Sequence, residues 1–251
     1  MIKLAAVLIT VIAFLIFSIP VLIYEWAIGK KDPEKKGRHC LKIIQSVFRF
    51  LLKLSGTHIN VTGTENIPED EAVLFVGNHR SDFDILIAYI FVKTETGFIA
   101  KKEIGKVPLL KQWMENIKCL FLDRQDVKKG MQTIVDAVNQ IKSGISVWVY
   151  PEGTRNKSED PSELMEFHEG SLKIAVKSKC KIIPVAMLGT DEIFEKHFPK
   201  VKSADVMVRF GKPIVLDELP QEVKKHPGKY TRELISDMLK EMQEEYRKER
   251  D

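Results

Sequence analysis

The sequence predicts an α/β domain on a largely parallel central sheet flanked by helices. Short apolar runs recur along the chain: "AVLFVGN" (72–78), "TGFIAK" (96–101), "KCLFLD" (118–123), "ISVWVYP" (145–151), "KIIPVAML" (181–188) and "ADVMVRF" (204–210). Most are apolar throughout rather than alternating, the pattern of strands covered on both faces. Stretches with helical spacing separate them, and strands alternating with helices give a parallel sheet. The 251 residues, 44% hydrophobic and 29% charged, suffice for one sizeable domain plus an attached segment.

From the N-terminus, Leu4 to Tyr24 runs without a charge, about the length a helix needs to cross a bilayer core. Glu25-Trp26 and Lys30-Lys31 follow with no A-x-A-like cleavage site, which favours a retained membrane segment over a signal peptide. Pro20 permits a kink or a re-entrant shape. The linker "GKKDPEKKGRH" (29–39) is basic, and basic flanks mark the cytoplasmic side of a span, so the body is expected to face the cytoplasm. Residues 39–56 form an amphipathic helix with Lys42, Arg49 and Lys53 on one narrow stripe. After a membrane segment, we expect that helix in the headgroup layer, its stripe toward anionic lipid; the alternative is a helix packed on the domain with the stripe in water. The expected division is a membrane-embedded helix (1–28), a linker and interfacial helix (29–56) and a catalytic body (57–251).

Within the body, 126–144 places Met131, Ile134, Val135, Val138 and Ile141 on one helical face, with Gly144 as the C-terminal cap. Ser81 or Asp82 would cap a helix beginning at Phe83, 170–180 is helical, and the charged tail 236–251 reads as a solvated helix face. Cys40, Cys119 and Cys180 form no CxxC pair, hence neither a disulfide framework nor a zinc site. A net charge of +4 is too small to argue for nucleic acid. The sequence has no G-x-S-x-G, G-x4-G-K or H-E-x-x-H, which removes support for serine hydrolysis, P-loop chemistry and zinc proteolysis.

Ligands of open α/β sheets collect at the carboxyl ends of the strands. Three polar clusters lie at such ends: Asn78-His79-Arg80-Ser81-Asp82-Phe83-Asp84, then Asp123-Arg124, then Pro151-Glu152-Gly153-Thr154-Arg155. Any one could be loop solvation; three on one sheet edge indicate a site. Histidine is the natural general base near neutral pH, and a carboxylate on its other nitrogen fixes its tautomer. Arginines with a Gly-Thr turn suit a phosphate monoester.

These blocks resemble the glycerolipid acyltransferases, specifically the 1-acyl-glycerol-3-phosphate (lysophosphatidate) acyltransferases. "NHRSDFD" resembles their N-H-x4-D motif and "YPEGTR" (150–155) their F-P-E-G-T-R motif. "AKKEIGKVP" (100–108) with "LFLDR" (120–124) resembles their second block, and "IIPVAM" (182–187) their fourth. Tyr150 stands where phenylalanine is usual, and Lys111 and Lys118 where glycines are common. The resemblance implies acyl transfer from acyl-CoA or acyl carrier protein to the 2-hydroxyl of lysophosphatidate, at a membrane and without metal or cofactor. His79 is the implied general base and Asp84 its orienting partner. Lys101, Arg124 and Arg155 would hold the phosphate, in a site shaped by Glu152, Gly153 and Thr154. The alternatives are an acyltransferase for another lysophospholipid or for glycerol-3-phosphate, and a non-catalytic phospholipid-binding membrane protein.

Overall fold

The computed structural model of the protein describes residues 1–248. The apolar N-terminal run forms two helices, α1 (Ile2–Phe17) and α2 (Ile19–Gly29), bent by 49° at Ser18. Pro20 lies in the first turn of α2, where its missing N–H costs nothing. The buried Ser18 hydroxyl donates back to the Leu15 carbonyl at 3.1 Å and accepts from Trp113 Nε1 at 2.8 Å, so a tertiary contact pins the bend. Among the described residues, no single helix is long and apolar enough to cross a membrane; the bent pair together is. Glu25 of α2 is fully buried and pairs with His39 on the next helix.

That helix, α3 (Pro33–Ser55), is capped at Asp32, whose carboxylate accepts from Lys35 N at 2.8 Å. It ends at Gly56, whose φ of 78° favours glycine. Cys40, Leu41, Ile44, Leu51 and Leu52 face the protein interior. Lys42, Arg49 and Lys53 are exposed, Arg49 reaching the Ile90 carbonyl at 3.1 Å.

Beyond α3 come β1 (Thr57–Thr62), β2 (Leu74–Gly77), α4 (Phe83–Phe91), β3 (Thr96–Lys101), α5 (Leu110–Asn116) and β4 (Leu120–Leu122). The remainder is α6 (Val127–Lys142), β5 (Ser146–Val149), α7 (Glu169–Ser178), β6 (Ile182–Leu188), β7 (Ala204–Phe210), α8 (Gln221–Lys225) and α9 (Pro227–Lys248). The strands form one sheet, ordered β1-β7-β6-β2-β5-β3-β4, parallel at every junction except the antiparallel β6–β7 pair. All six expected strands are present; β1 is additional. It lies at the sheet edge with alternate residues more exposed, so "THINVT" shows a period of two, not an apolar run.

Each face of the sheet is covered. One face carries aromatic side chains from neighbouring strands: Trp148 of β5 stacks on Phe75 of β2 at 4.9 Å and on Phe98 of β3 at 5.3 Å, following the strand register. On that side, α3 and α4 close the core. Leu74, Val76, Val147 and Val149 point the other way, toward α6, α7 and α9. The described part of the tail expected to be solvated buries one face: Met238, Leu239 and Met242 continue the helical spacing that starts at Ile235 of α9, while residues 249–251 lie outside the described range.

Candidate active site

The loop between β2 and α4 carries the histidine, and every backbone N–H from His79 to Phe83 has a side-chain acceptor. Asn78, fully buried, clamps the end of β2 to β6: its amide donates to the Met187 carbonyl at 2.9 Å and accepts from Met187 N at 2.8 Å. His79 N donates to Glu152 Oε1 at 2.9 Å, and Asn156 N donates to the His79 carbonyl at 2.7 Å. The segment after β5 thus grips His79 from both sides.

Asp84, in the first turn of α4 and fully buried, accepts three hydrogen bonds at Oδ2, each 2.8 Å long: from His79 Nδ1, Arg80 N and Ser81 N. With Nδ1–H given to the carboxylate, Nε2 carries the lone pair and can accept a proton. The Tyr150 ring stacks on the imidazole with centroids 4.4 Å apart and planes inclined 16°. Arg80 turns away: its guanidinium is buried against Asp191, with Nε at 3.0 Å and Nη2 at 2.7 Å from Oδ2. Histidine, carboxylate and stacked ring are held in one fixed arrangement with Nε2 left free of them.

His79 lines a cavity of about 380 Å³. Apolar side chains line it, among them Phe14 and Leu15 of α1, Phe48 of α3, Ile85 of α4 and Trp113 of α5. The strand ends add Lys101 at the end of β3, Arg124 after β4, and Gly153, Thr154 and Arg155 after β5. Gly153 has a φ of 72°, and a side chain there would press on the His168 ring at about 3.1 Å. Lys102 Nζ pairs with Asp123 at 2.8 Å, which holds that carboxyl below its usual range and ties the ends of β3 and β4 together.

Six of the eight residues singled out from sequence line this cavity: His79, Lys101, Arg124, Gly153, Thr154 and Arg155. Asp84 stands behind His79. Glu152, expected with Gly153 and Thr154 to shape the phosphate site, does not itself line the cavity. Its buried carboxylate receives His79 N at 2.9 Å and Met165 N at 3.1 Å, so it braces the loop from within. Burial pushes the Glu152 carboxyl up; these two N–H donors pull it part of the way back. Three contributors escaped the sequence: the Tyr150 stack, the wall supplied by α1, and Glu195. Glu195, in the loop after β6, accepts from Arg155 Nη1 at 3.1 Å.

The family model described as Acyltransferase matches residues 58–188, from β1 to the end of β6. The chain is similar to the 1-acyl-sn-glycerol-3-phosphate acyltransferase of Borreliella burgdorferi, 31% identical over 160 residues, covering 64% of this chain and 60% of that protein. It is also similar to the probable 1-acyl-sn-glycerol-3-phosphate acyltransferase of Mycoplasma pneumoniae, 33% identical over 172 residues, covering 66% and 61%. The match thus spans about 60% of the length of these curated relatives. The crystal structure of the 1-acyl-sn-glycerophosphate acyltransferase of Thermotoga maritima shares the fold, with a TM-score of 0.82 at 24% identity over 96% of this chain and 95% of that one. Because the matched region holds the His79–Asp84 loop, the Arg155 turn and the strands that place both, the chain belongs to the acyltransferase family.

Proposed function

We propose that this protein transfers a fatty acyl group from a thioester, acyl-CoA or acyl carrier protein, to the 2-hydroxyl of 1-acyl-glycerol-3-phosphate. One observation carries the proposal: the His79 ring, braced by Asp84, borders a cavity lined both by apolar side chains and by Lys101, Arg124 and Arg155. That pairing suits a substrate with an acyl chain at one end and a phosphate at the other. A protein that only bound phospholipid would need no oriented base.

His79 Nε2 takes the proton of the acceptor hydroxyl as its oxygen attacks the thioester carbonyl carbon. The C–S bond then breaks and the departing sulfur receives that proton from the imidazolium, which Asp84 has stabilised. General base catalysis contributes roughly 10²–10⁴-fold, and positioning supplies much of the remainder. No metal or cofactor enters the reaction.

The membrane is the second part of the proposal. α1 and α2 expose Ile9, Ile12, Ile16, Phe17, Ile23 and Trp26, and Lys30 lies 3.5 Å above the Trp26 ring. Such a surface belongs in lipid, with the aromatic and basic groups at its margin. α1 also supplies the cavity wall, so the acceptor enters from the bilayer and the donor from the cytoplasm.

Purified protein assayed with lysophosphatidate, lysophosphatidylcholine and glycerol-3-phosphate, each with acyl-CoA and acyl carrier protein, tests the proposal. Lysophosphatidate is the expected acceptor. Transfer to none of the three, or an equal rate with the phosphodiester headgroup, would overturn it.

A further inference from the structure

Arg155 is held at one end only. Both of its hydrogen bonds leave through Nη1, to Asp82 Oδ2 at 2.7 Å and to Glu195 Oε1 at 3.1 Å. The Nε–Nη2 edge is uncommitted among the described residues and belongs to a side chain that lines the cavity. Glu195 Oε1 also accepts from Asp82 N at 2.9 Å, so one carboxylate ties the loop after β6 to the loop before α4 and to the turn after β5. Glu195 sits mostly out of solvent, while Asp82 is mostly in it.

We propose that Glu195, assisted by Asp82, is a positioning residue for the acceptor: it anchors Arg155 by Nη1 and presents the Nε–Nη2 edge to a phosphate monoester. The inference rests on the acceptor proposed above. A free arginine side chain has many rotamers, and fixing one before the ligand arrives removes that cost from binding. Two carboxylates also offset the charge of Arg155. Lys101 and Arg124, which form no ion pair among the described residues, must then balance the phosphate dianion. Arg155 supplies geometry, and the other two cations supply charge.

Glu195→Ala should raise the acceptor KM about tenfold, the worth of one charge-assisted hydrogen bond. The donor KM and kcat should stay within about threefold. Glu195→Gln keeps an oxygen facing Nη1 and should recover most of the loss. Asp82→Asn, at an exposed position that folding tolerates, should shift the acceptor KM in the same direction by less. Calorimetric titration of the full chain with glycerol-3-phosphate reads the anchor without catalysis, and the Ala variant should bind about tenfold more weakly. Equal binding by wild type and Glu195→Ala would overturn the inference, as would an acceptor KM that falls, which would make Glu195 a competitor for Arg155. A loss confined to kcat would overturn it too. Wild type that binds glycerol-3-phosphate through this anchor yet acylates no lysophosphatidate would sink the proposed reaction and leave the anchor standing.

Discussion

The imidazole of His79 is fixed through its ring nitrogen, its ring face and both of its backbone polar groups, so its chemistry separates cleanly from its packing. Its side chain borders the cavity, so truncation enlarges existing space rather than opening a void in the close-packed core. His79→Ala should lower kcat by about 10²–10⁴-fold while thermal unfolding stays within a few degrees of wild type. Residual turnover within tenfold would remove His79 from the role of base. Glu152→Gln separates bracing from substrate contact. Its amide oxygen can accept only one of the two N–H groups that now meet the carboxylate, leaving the other against an NH2. That should cost about 1–3 kcal/mol of stability and reduce kcat with the acceptor KM unchanged, measured by denaturant unfolding and steady-state kinetics. A raised KM would return Glu152 to the substrate.

Among the elements, α9 and α3 carry the most informative contrasts. Leu239 is fully buried between α9 and the sheet, so Leu239→Ala should cost about 2–5 kcal/mol in denaturant unfolding. A cost below 0.5 kcal/mol would be that of a solvated helix. For α3, the interior side of the helix is set by Leu41, Ile44, Leu51 and Leu52, and its basic stripe is outside. Changing Lys42, Arg49 and Lys53 to Glu should leave the fold intact and activity on a short-chain soluble acceptor within about threefold. Turnover of bilayer-embedded acceptor should drop, because each basic residue near an anionic surface contributes about 1 kcal/mol. Equal losses on both acceptors would confine the stripe to a structural role.

At the scale of the whole molecule, α1 lines the cavity, and α1 and α2 together expose a run of large apolar side chains. Ile9, Ile12 and Ile16 are each more than half exposed. Replacing all three with Glu removes roughly 1.5–3 kcal/mol of apolar transfer apiece and adds charge. The variant should fail to float with phospholipid vesicles that carry the wild type, yet keep its fold by circular dichroism. Continued flotation would place membrane attachment elsewhere on the surface.

The chain itself determined the alternation of strands and helices, the parallel sheet which that alternation implies, and the approach of His79 to Asp84, because each is written in a local pattern of residues. Apolar runs fix strands, and a separation of five residues across a helix start closes the pair within one loop. The α9 face was written in the sequence at 235, 238, 239 and 242, but its charged neighbours obscured it. Tertiary structure decided the rest. The bend at Ser18 needs Trp113, 95 positions away, and the Arg155 anchor needs Glu195, 40 positions away. The inward turn of Glu152 depends on where His79 N and Met165 N fall. A carboxylate has the same identity whether it meets solvent, substrate or a backbone N–H; only the packing of distant segments settles which of these it meets.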